Sequence, residues 1–417
     1  MVDIELLRNE KTRQATITAL EKRSVELSRV EALLSTDTAW REATKKLEEA
    51  LAQKRQASDK IASASPEEKQ GLISGMQKYG NEESNLKQIV EQLSKERETL
   101  WRKIPNIPLP DVQPGGEKDS VVIAESKTPT RDATETPQDY MTLMGSRIDM
   151  QRGAKVAGAR FTYLSGDLAR LELGIATYVI DMLTKQGFTQ VIPPLLINEE
   201  AMAGMGYLDQ AGDEVYKTQD DLYLVGTSEQ SLGAMHMNEI IPSEHLPIRY
   251  VAFTPCFRRE AGSHGKDVKG ILRLHQFDKV EMFSITTPER SEEEHQFLLT
   301  QQVSIMDALE LPYRVVRLAA GDIGAPSAKT IDIETWIPSE KAYRETHSTS
   351  NTTSYQSRRL NIRFKNSDNT TEKVHMINGT AVALSRLLIA IIENHQSTDG
   401  SVKLPACLHP YLPFTAL

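Results

Sequence analysis

Between Met1 and Ile104 the chain carries a single proline, Pro66, and only three glycines, Gly71, Gly75 and Gly80. So few backbone breakers over so long a stretch point to long helices. Seam residues recur at heptad intervals: Leu33, Trp40, Leu47, Lys54 and Ile61 before the proline, then Tyr79, Leu86, Leu93 and Leu100, with Met76 and Val90 between them. Spacings of three and four with a narrow seam predict a two-helix coiled coil. Ser65-Pro66-Glu67-Glu68 separates the halves with a serine N-cap, a proline at the first helical position and acids in the first turn. Residues 26–104 therefore predict an antiparallel helical hairpin, each helix roughly 50 Å long at about 1.5 Å rise per residue. The same pattern would serve a helix pair packed on a body. Asp37, Lys54, Glu83 and Arg97, all on the seam, favour a projecting arm.

The next stretch reverses this grammar. Residues 105–137 hold six of the nineteen prolines, plus Gly115-Gly116, and predict a linker with extended pieces. From residue 138 a mixed body begins. Arg170–Gln186 reads as an amphipathic helix closed by Gly187. Thr189–Ile197, Asp221–Glu229, Ile248–Glu260, Leu274–Thr287, Tyr313–Leu318, Thr330–Ile337, Asn361–Lys365 and Lys373–Asn378 read as strands, and Ala381–Asn394 as a final helix. Few helices separate the later strands. The expected fold is therefore α+β, with an antiparallel sheet flanked by helices.

Charge divides the same way. Residues 1–104 have 19 basic and 18 acidic side chains, so the whole-chain charge of −9 leaves −10 on the remainder. A negative total argues against coating nucleic acid by bulk electrostatics, but not against local grip. No apolar run is long enough to span a membrane. Cys256 and Cys407 lie far apart without metal-ligand spacing, so a reducing, cytoplasmic setting and no structural zinc are expected.

GxxxxGK[ST], GxGxxG after a strand and HExxH are all missing, so a bound nucleotide would have to be held by side chains on a sheet. Phe253–Glu260, a polar Gly-rich loop, and Leu274–Glu281 read as strand, loop, strand. Arg258 and Glu260 share one face of the first strand; Phe277, Lys279 and Glu281 share one face of the second. Charges there are costly unless they meet a ligand or each other, and a surface hairpin with cross-strand ion pairs fits equally well. Farther on, Arg386 is the only charge between His375 and Glu393 in an apolar segment. Its planar fork suits phosphate, although an internal carboxylate would satisfy it as well.

Together FRREAG…HQFDKVE and NGTAVALSRLLIAIIENHQ resemble the second and third signature motifs of class II aminoacyl-tRNA synthetases, and GFTQVIPPLL, with Pro194, resembles the first. The chain is most similar to the seryl-tRNA synthetase family, through MVDIELLRNE, IPNIPLPDV, AKVAGARFTYLSGDLARLE, GTSE, GDIGAPSAKTIDIETWIP, AYRETHS and QSRRLNIRF. The resemblance implies three regions: a tRNA-binding domain at 1–104 with its coiled-coil arm at about 26–104, a linker at 105–137, and a class II catalytic domain at 138–417. It implies a ligase that activates L-serine with ATP and passes the seryl group to the 3′ end of serine tRNA, with selenocysteine tRNA a further candidate.

The roles it implies are specific. Arg258, Arg386 and Glu345 would be catalytic. Arg258 would hold the α-phosphate and the attacking carboxylate, Glu260 the adenine amino group, Phe277 the base and Arg386 the γ-phosphate. Arg259, Leu274, Glu345, Thr346, His347 and Ser348 complete the expected ATP contacts. Glu345 and Ser348 would supply oxygens to magnesium accompanying ATP. Thr227, Ser228 and Glu229 would take the serine ammonium, Arg258 its carboxylate, and Glu281 and Thr380 its hydroxyl, with Asn378 as orienting group. Arg41, Lys45, Lys46, Lys54, Arg55 and Lys60 are the arm's candidates for RNA phosphates. The first-motif helix and strand imply a homodimer. Thr349 and Thr352 stand where many relatives carry cysteines, a further sign against zinc. Other readings are a carrier-loading class II paralogue, which would lack the arm, and an inactive tRNA-binding module, which would have lost Arg258, Arg386 or Glu345.

Overall fold

The computed structural model describes residues 1–129, 137–209, 212–261 and 270–417. Most of the Gly-rich loop after Glu260 and part of the proline-rich segment, residues 262–269 and 130–136, lie outside these. The chain forms two compact units, Val2–Pro105 and Asn106–Leu417 with Met1.

In the smaller unit two helices dominate, α1 (Leu27–Ser63) and α2 (Pro66–Arg102). At 37 residues each they run about 55 Å. Val30, Leu33, Asp37, Ala43 and Ala50 are the buried positions of α1, a spacing of three, four, six and seven that follows the heptad seam. The seam charges pair across it. Asp37, 1% exposed, accepts a bidentate pair of hydrogen bonds from Arg8 at 2.8 and 2.7 Å and another from Arg97. The Arg97 guanidinium is sandwiched 4.6 Å from both Trp40 and Trp101. Lys54 is bonded to Glu83, which holds that carboxyl near 2 through its hydrogen bonds to Lys54 and Lys87. That pairing engages the Lys54 ammonium within the hairpin.

An eight-stranded sheet forms the larger unit, built from β1 (Val121–Glu125), β2 (Thr189–Gln190), β3 (Ile248–Phe257), β4 (Gln276–Thr286), β5 (Tyr313–Arg317), β6 (Lys329–Ile337), β7 (Ala342–Thr353) and β8 (His375–Ala383). Its order is β1-β5-β6-β7-β8-β4-β3-β2. Every neighbouring pair is antiparallel except β2 with β3. The proline-rich segment is thus more than a connector, since β1 hydrogen-bonds to the sheet edge. Two expected strands are shorter than their sequence suggests: Thr189–Ile197 contains only β2 and Leu196–Ile197, and Asp221–Glu229 only Tyr223–Leu224.

One sheet face is apolar. Val251, Val280, Met282, Ile331, Ile333 and Ile377 pack there on α3 (Asp167–Lys185), α4 (Ser291–Ala308) and α5 (Leu384–Asn394). Residues alternate across each strand, so 252, 254, 277, 279, 281, 378 and 380 face the other way. Helix α3 closes on Gly187 at φ 87°, with Gly187 N bonded to the carbonyl of Thr184 and Phe188 N to that of Leu183. This is the Schellman pattern expected from that glycine. Helix α5 begins three residues later than its sequence implies, because Ala381-Val382-Ala383 still belongs to β8.

Candidate active site

Antiparallel pairing of β3 with β4 sets Cys256 opposite Phe277, Thr254 opposite Lys279 and Ala252 opposite Glu281. Beyond it, β8 brings Thr380 opposite Glu281. These side chains share the face away from the helices. Arg258 continues from the end of β3, its backbone N–H bonded to the carbonyl of His275 and its Nε to that of Gly226 at 3.1 Å. Its guanidinium lies 5.3 Å from the Phe277 ring centroid. Glu260, at φ 50°, accepts from Arg273 at 2.8 Å. Leu274 is buried beside them, whereas the Arg259 side chain is exposed.

Strand β7 completes the cleft by an irregularity. Ile333 pairs with His347, but Glu334 pairs with Glu345, so Thr346 is an extra residue in the ladder. This β-bulge changes which side chains share a face. Glu345 and Ser348, three apart, stand opposite Glu334 and Asp332, which are two apart and share a face. Both expected magnesium ligands therefore project to the same side. Thr346 turns to the Thr335 hydroxyl at 2.7 Å, and His347 follows core residue Ile333, its Nδ1 2.8 Å from Thr346 Oγ1. The His347 imidazole is thus not on the Glu345 face. Burial lowers its pKa to about 4, so it is neutral at pH 7.

From the first turn of α5, Arg386 reaches back to β7, where its Nη1 bonds the Glu345 carbonyl. Arg258, Glu260, Phe277, Lys279, Glu345, Thr346, Thr380 and Arg386 line one open cleft together with Leu272, Arg273, Leu274, Ala383 and Ser385. It thus gathers an arginine at either side of a carboxylate, an aromatic ring and a second carboxylate.

Thr227, Ser228 and Glu229 are buried at the start of the short helix Glu229–Ala234. Glu229 Oε2 accepts from Tyr207 at 2.9 Å and its Oε1 from Gln356 at 2.9 Å. Burial and the nearby charge of Glu281 raise the Glu229 pKa. Lys279 Nζ is 2.7 Å from Thr227 Oγ1 and 2.6 Å from Glu281 Oε2. Thr380 donates to that same oxygen at 3.3 Å. Asn378 is buried one alternation along β8, opposite Ser350. Gln302 of α4, fully buried, donates to the carbonyls of Thr380 at 2.8 Å and Ser348 at 3.2 Å, anchoring both strands beside their bulges.

Tyr207, Gln356, Gln302 and Arg273 carry no assigned role in the sequence reading, although QSRRLNIRF, containing Gln356, contributes to the resemblance. They act on site residues from distant segments. Asp332, buried opposite Ser348, is raised well above the ordinary range by burial and then by Glu345. For magnesium, the protein offers the carboxylate of Glu345 and the hydroxyl of Ser348 on one face, with the Asp332 carboxyl opposite Ser348. No cluster of three His, Cys, Asp or Glu side chains exists among the described residues. Two oxygens suit a cation that keeps its remaining positions for water and substrate phosphate, as magnesium does.

A family model described as the seryl-tRNA synthetase N-terminal domain matches residues 1–108, and one described as the class II tRNA synthetase core domain (G, H, P, S and T) matches residues 214–395. The serine–tRNA ligase of Thermobifida fusca is 43% identical over 415 residues, covering 99% of this chain and 97% of its own. That of Streptomyces coelicolor is 42% identical over 417 residues with the same coverage. Among solved structures, seryl-tRNA synthetase from Pyrococcus horikoshii complexed with ATP superposes with a TM-score of 0.91 at 36% identity, over 100% of this chain and 99% of that one. The cytoplasmic serine–tRNA ligase of Naegleria fowleri in complex with AMP gives 0.86 at 30% identity, over 98% and 96%. With sheet order, cleft and near full-length similarity in agreement, the chain belongs to the seryl-tRNA synthetase family of class II aminoacyl-tRNA synthetases.

Proposed function

We propose that this chain activates L-serine with ATP and transfers the seryl group to the 3′ end of serine tRNA. The carrying observation is that one sheet face holds two adjoining charge arrangements. Arg258, Arg386 and Glu345 line an open cleft, and Glu229, Lys279 and Glu281 are buried beside it. The first suits a polyphosphate, and the second an amino acid with a polar side chain.

In the first half-reaction the serine carboxylate attacks the α-phosphorus of ATP and pyrophosphate departs. Arg258 offsets the charge that gathers on the carboxylate and α-phosphate, while Phe277 and Glu260 hold the adenine ring and its amino group. Arg386 engages the terminal phosphate. Glu345 and Ser348 would hold magnesium, which supplies Lewis-acid charge neutralisation and orients the phosphates. Arg259, Leu274, Thr346 and His347 belong to this nucleotide region, with His347 limited to its backbone by the orientation of its ring. Glu229, held by Tyr207 and Gln356, meets the serine ammonium with Thr227 and Ser228. Glu281 and Thr380 bond its hydroxyl, and Asn378 orients them. A site built around that hydroxyl disfavours alanine and glycine by leaving its polar groups unpaired, typically about 1–3 kcal/mol for each group.

The second half-reaction brings the tRNA 3′ end to the adenylate. In this reading residues 1–104 form the tRNA-binding domain, residues 105–137 connect it, and residues 138–417 catalyse. Exposed Arg41, Lys45, Lys46, Arg55 and Lys60 are the arm's phosphate contacts. A homodimer through the face of α3 and the following strand accounts for Leu173 and Ile192, which are 58% and 90% exposed. No described helix is long and apolar enough to cross a membrane, and the cytoplasm, where tRNA is charged, is the proposed location.

Serine-dependent ATP–pyrophosphate exchange followed by charging of total tRNA tests the reading. Exchange and charging are both expected. Exchange without charging would point to another acceptor, and absence of exchange would leave only a tRNA-binding module.

A further inference from the structure

Lys279 sits on the site face of β4 between Phe277 and Glu281, and adenylate formation gives it no task. Its side chain is 6% exposed and that of Glu281 2%, with their charged atoms 2.6 Å apart. The same ammonium donates to Thr227 Oγ1 at 2.7 Å. It therefore bridges a residue of the ammonium subsite and the carboxylate of the hydroxyl subsite. Lys279 and Thr380 both meet Glu281 at Oε2. Oε1 is left to accept from a bound substrate.

The charges around a serine zwitterion then sort into pairs. Glu229 opposes the substrate ammonium, and Arg258 its carboxylate. Glu281 is already balanced by Lys279, so the side-chain subsite carries no net charge. A buried carboxylate without a counter-ion prefers a cation, whereas one already paired can accept a hydrogen bond from a neutral hydroxyl. Space alone does not distinguish a hydroxyl from an ammonium on the same carbon, because the two groups are nearly isosteric. Charge does.

We infer that Lys279 is a specificity-determining residue acting through Glu281: its ammonium neutralises that carboxylate, so the side-chain subsite takes a neutral hydroxyl and rejects an isosteric ammonium. The inference rests on the serine-site reading proposed above. The discriminating substrate class is the β-amino analogue of serine, L-2,3-diaminopropionate in its side-chain-protonated form.

The test measures kcat/KM for L-serine and for L-2,3-diaminopropionate by ATP–pyrophosphate exchange in the full-length enzyme, from about pH 6 to about pH 9. The unaltered enzyme should favour serine throughout. Lys279→Met should shift the serine-to-diamine ratio toward the diamine by about 100-fold at the acid end, since a misplaced charge contact costs several kcal/mol. Lys279→Arg should keep most of the serine preference. Lys279→Met combined with Glu281→Gln removes both charges and should restore discrimination relative to Lys279→Met alone. Glu281→Gln alone leaves the lysine unbalanced and should reject the diamine more strongly than the unaltered enzyme does. That variant and the double variant carry the test if thermal unfolding shows Lys279→Met to be unfolded. A ratio within about threefold of the unaltered value in Lys279→Met, or in Glu281→Gln where that variant decides, would overturn the inference while leaving serine activation in place. No serine-dependent exchange in the unaltered enzyme would overturn the proposed function and this inference with it.

Discussion

Arg386 holds Glu345 twice: its Nη1 donates to the Glu345 carbonyl at 2.8 Å and lies 3.1 Å from the carboxylate Oε2 of the same residue. The contact ties the first turn of α5 to β7. Burial opposes ionisation of Glu345, but Arg386 first, then Arg258 and Lys279, bring its pKa below the ordinary carboxylate range. The carboxylate is thereby kept charged beside the place proposed for magnesium.

Glu345→Gln should raise the magnesium concentration needed for half-maximal exchange by about tenfold or more, with little change in the KM for serine. Magnesium titrations of exchange at saturating serine measure this. An unchanged magnesium requirement would remove Glu345 from the metal assignment.

Arg258→Ala should lower exchange by about a thousandfold, the scale of losing a donor aimed at developing charge. Among the described residues its side chain bonds the Gly226 carbonyl and neighbours Phe277, so folding should survive. Exchange near the unaltered rate, with an unchanged thermal transition, would refute its role.

Gln356→Leu should raise the KM for serine about tenfold while the KM for ATP stays nearly constant. It removes the hydrogen bond to Glu229, together with those to Thr352 and Met205, and none to a residue lining the nucleotide cleft. Parallel loss of affinity for both substrates would show a general disturbance instead of a defect in the ammonium subsite.

Acid should weaken the two units in different windows. Burial lowers His347 and His375 to about 4, so their contribution is complete above the unfolded value of 6.5 and lost as pH falls toward 4. Burial opposes ionisation of Asp37, but Arg8 and Arg97 hold its pKa below 3.8, so its contribution persists until lower pH. With Trp336→Phe, fluorescence reports only Trp40 and Trp101 of the smaller unit. Urea midpoints from that signal should hold down to about pH 4, while far-ultraviolet dichroism shows earlier loss in the larger unit. Coincident acid transitions would contradict the assignment. In a separate measurement at pH 7, Asp37→Asn should cost the smaller unit about 3 kcal/mol, because it leaves two arginines facing a neutral group.

Lys45→Ala combined with Lys46→Ala should reduce tRNA charging several-fold and flatten its salt dependence, with serine-dependent exchange unchanged. Lys54→Ala should act through the stability of the hairpin, since its partner is Glu83. Equal charging by the double variant and the unaltered enzyme would exclude that part of α1 from the RNA contact.

The sequence revealed elements whose burial follows a simple period. The seam of α1, the Gly187 stop of α3 and the faces of β3 and β4 all obey one. Strand β7 is missing from the sequence-based strands because Arg344, Glu345, Thr346, His347, Ser348, Thr349, Ser350 and Asn351 offer no apolar alternation. One face of that strand meets the cleft, and the other is satisfied by polar helix residues such as Gln302 and His295. The boundary of α5 shifts because Ala381-Val382-Ala383 suits a buried strand as well as a buried helix. Tyr207 and Gln356 stay hidden for another reason. Their importance comes from meeting Glu229 across 22 and 127 residues of chain, and no local pattern encodes such a meeting.

The extra residue at Thr346 makes regularity and function mutually exclusive in β7. Regular pairing of the same chain would set Thr346 opposite Glu334 and invert the parity of every position from Ala342 to Glu345, whereas deleting Thr346 would leave Glu345 opposite Glu334. In that regular ladder Glu345 would stand opposite Thr335, away from the cleft, and Thr346 would take its place, exchanging an anion for a neutral hydroxyl. Pairing phase is consequently a chemical quantity here: a slip of one residue removes the negative charge presented to the nucleotide, although no catalytic side chain has been deleted.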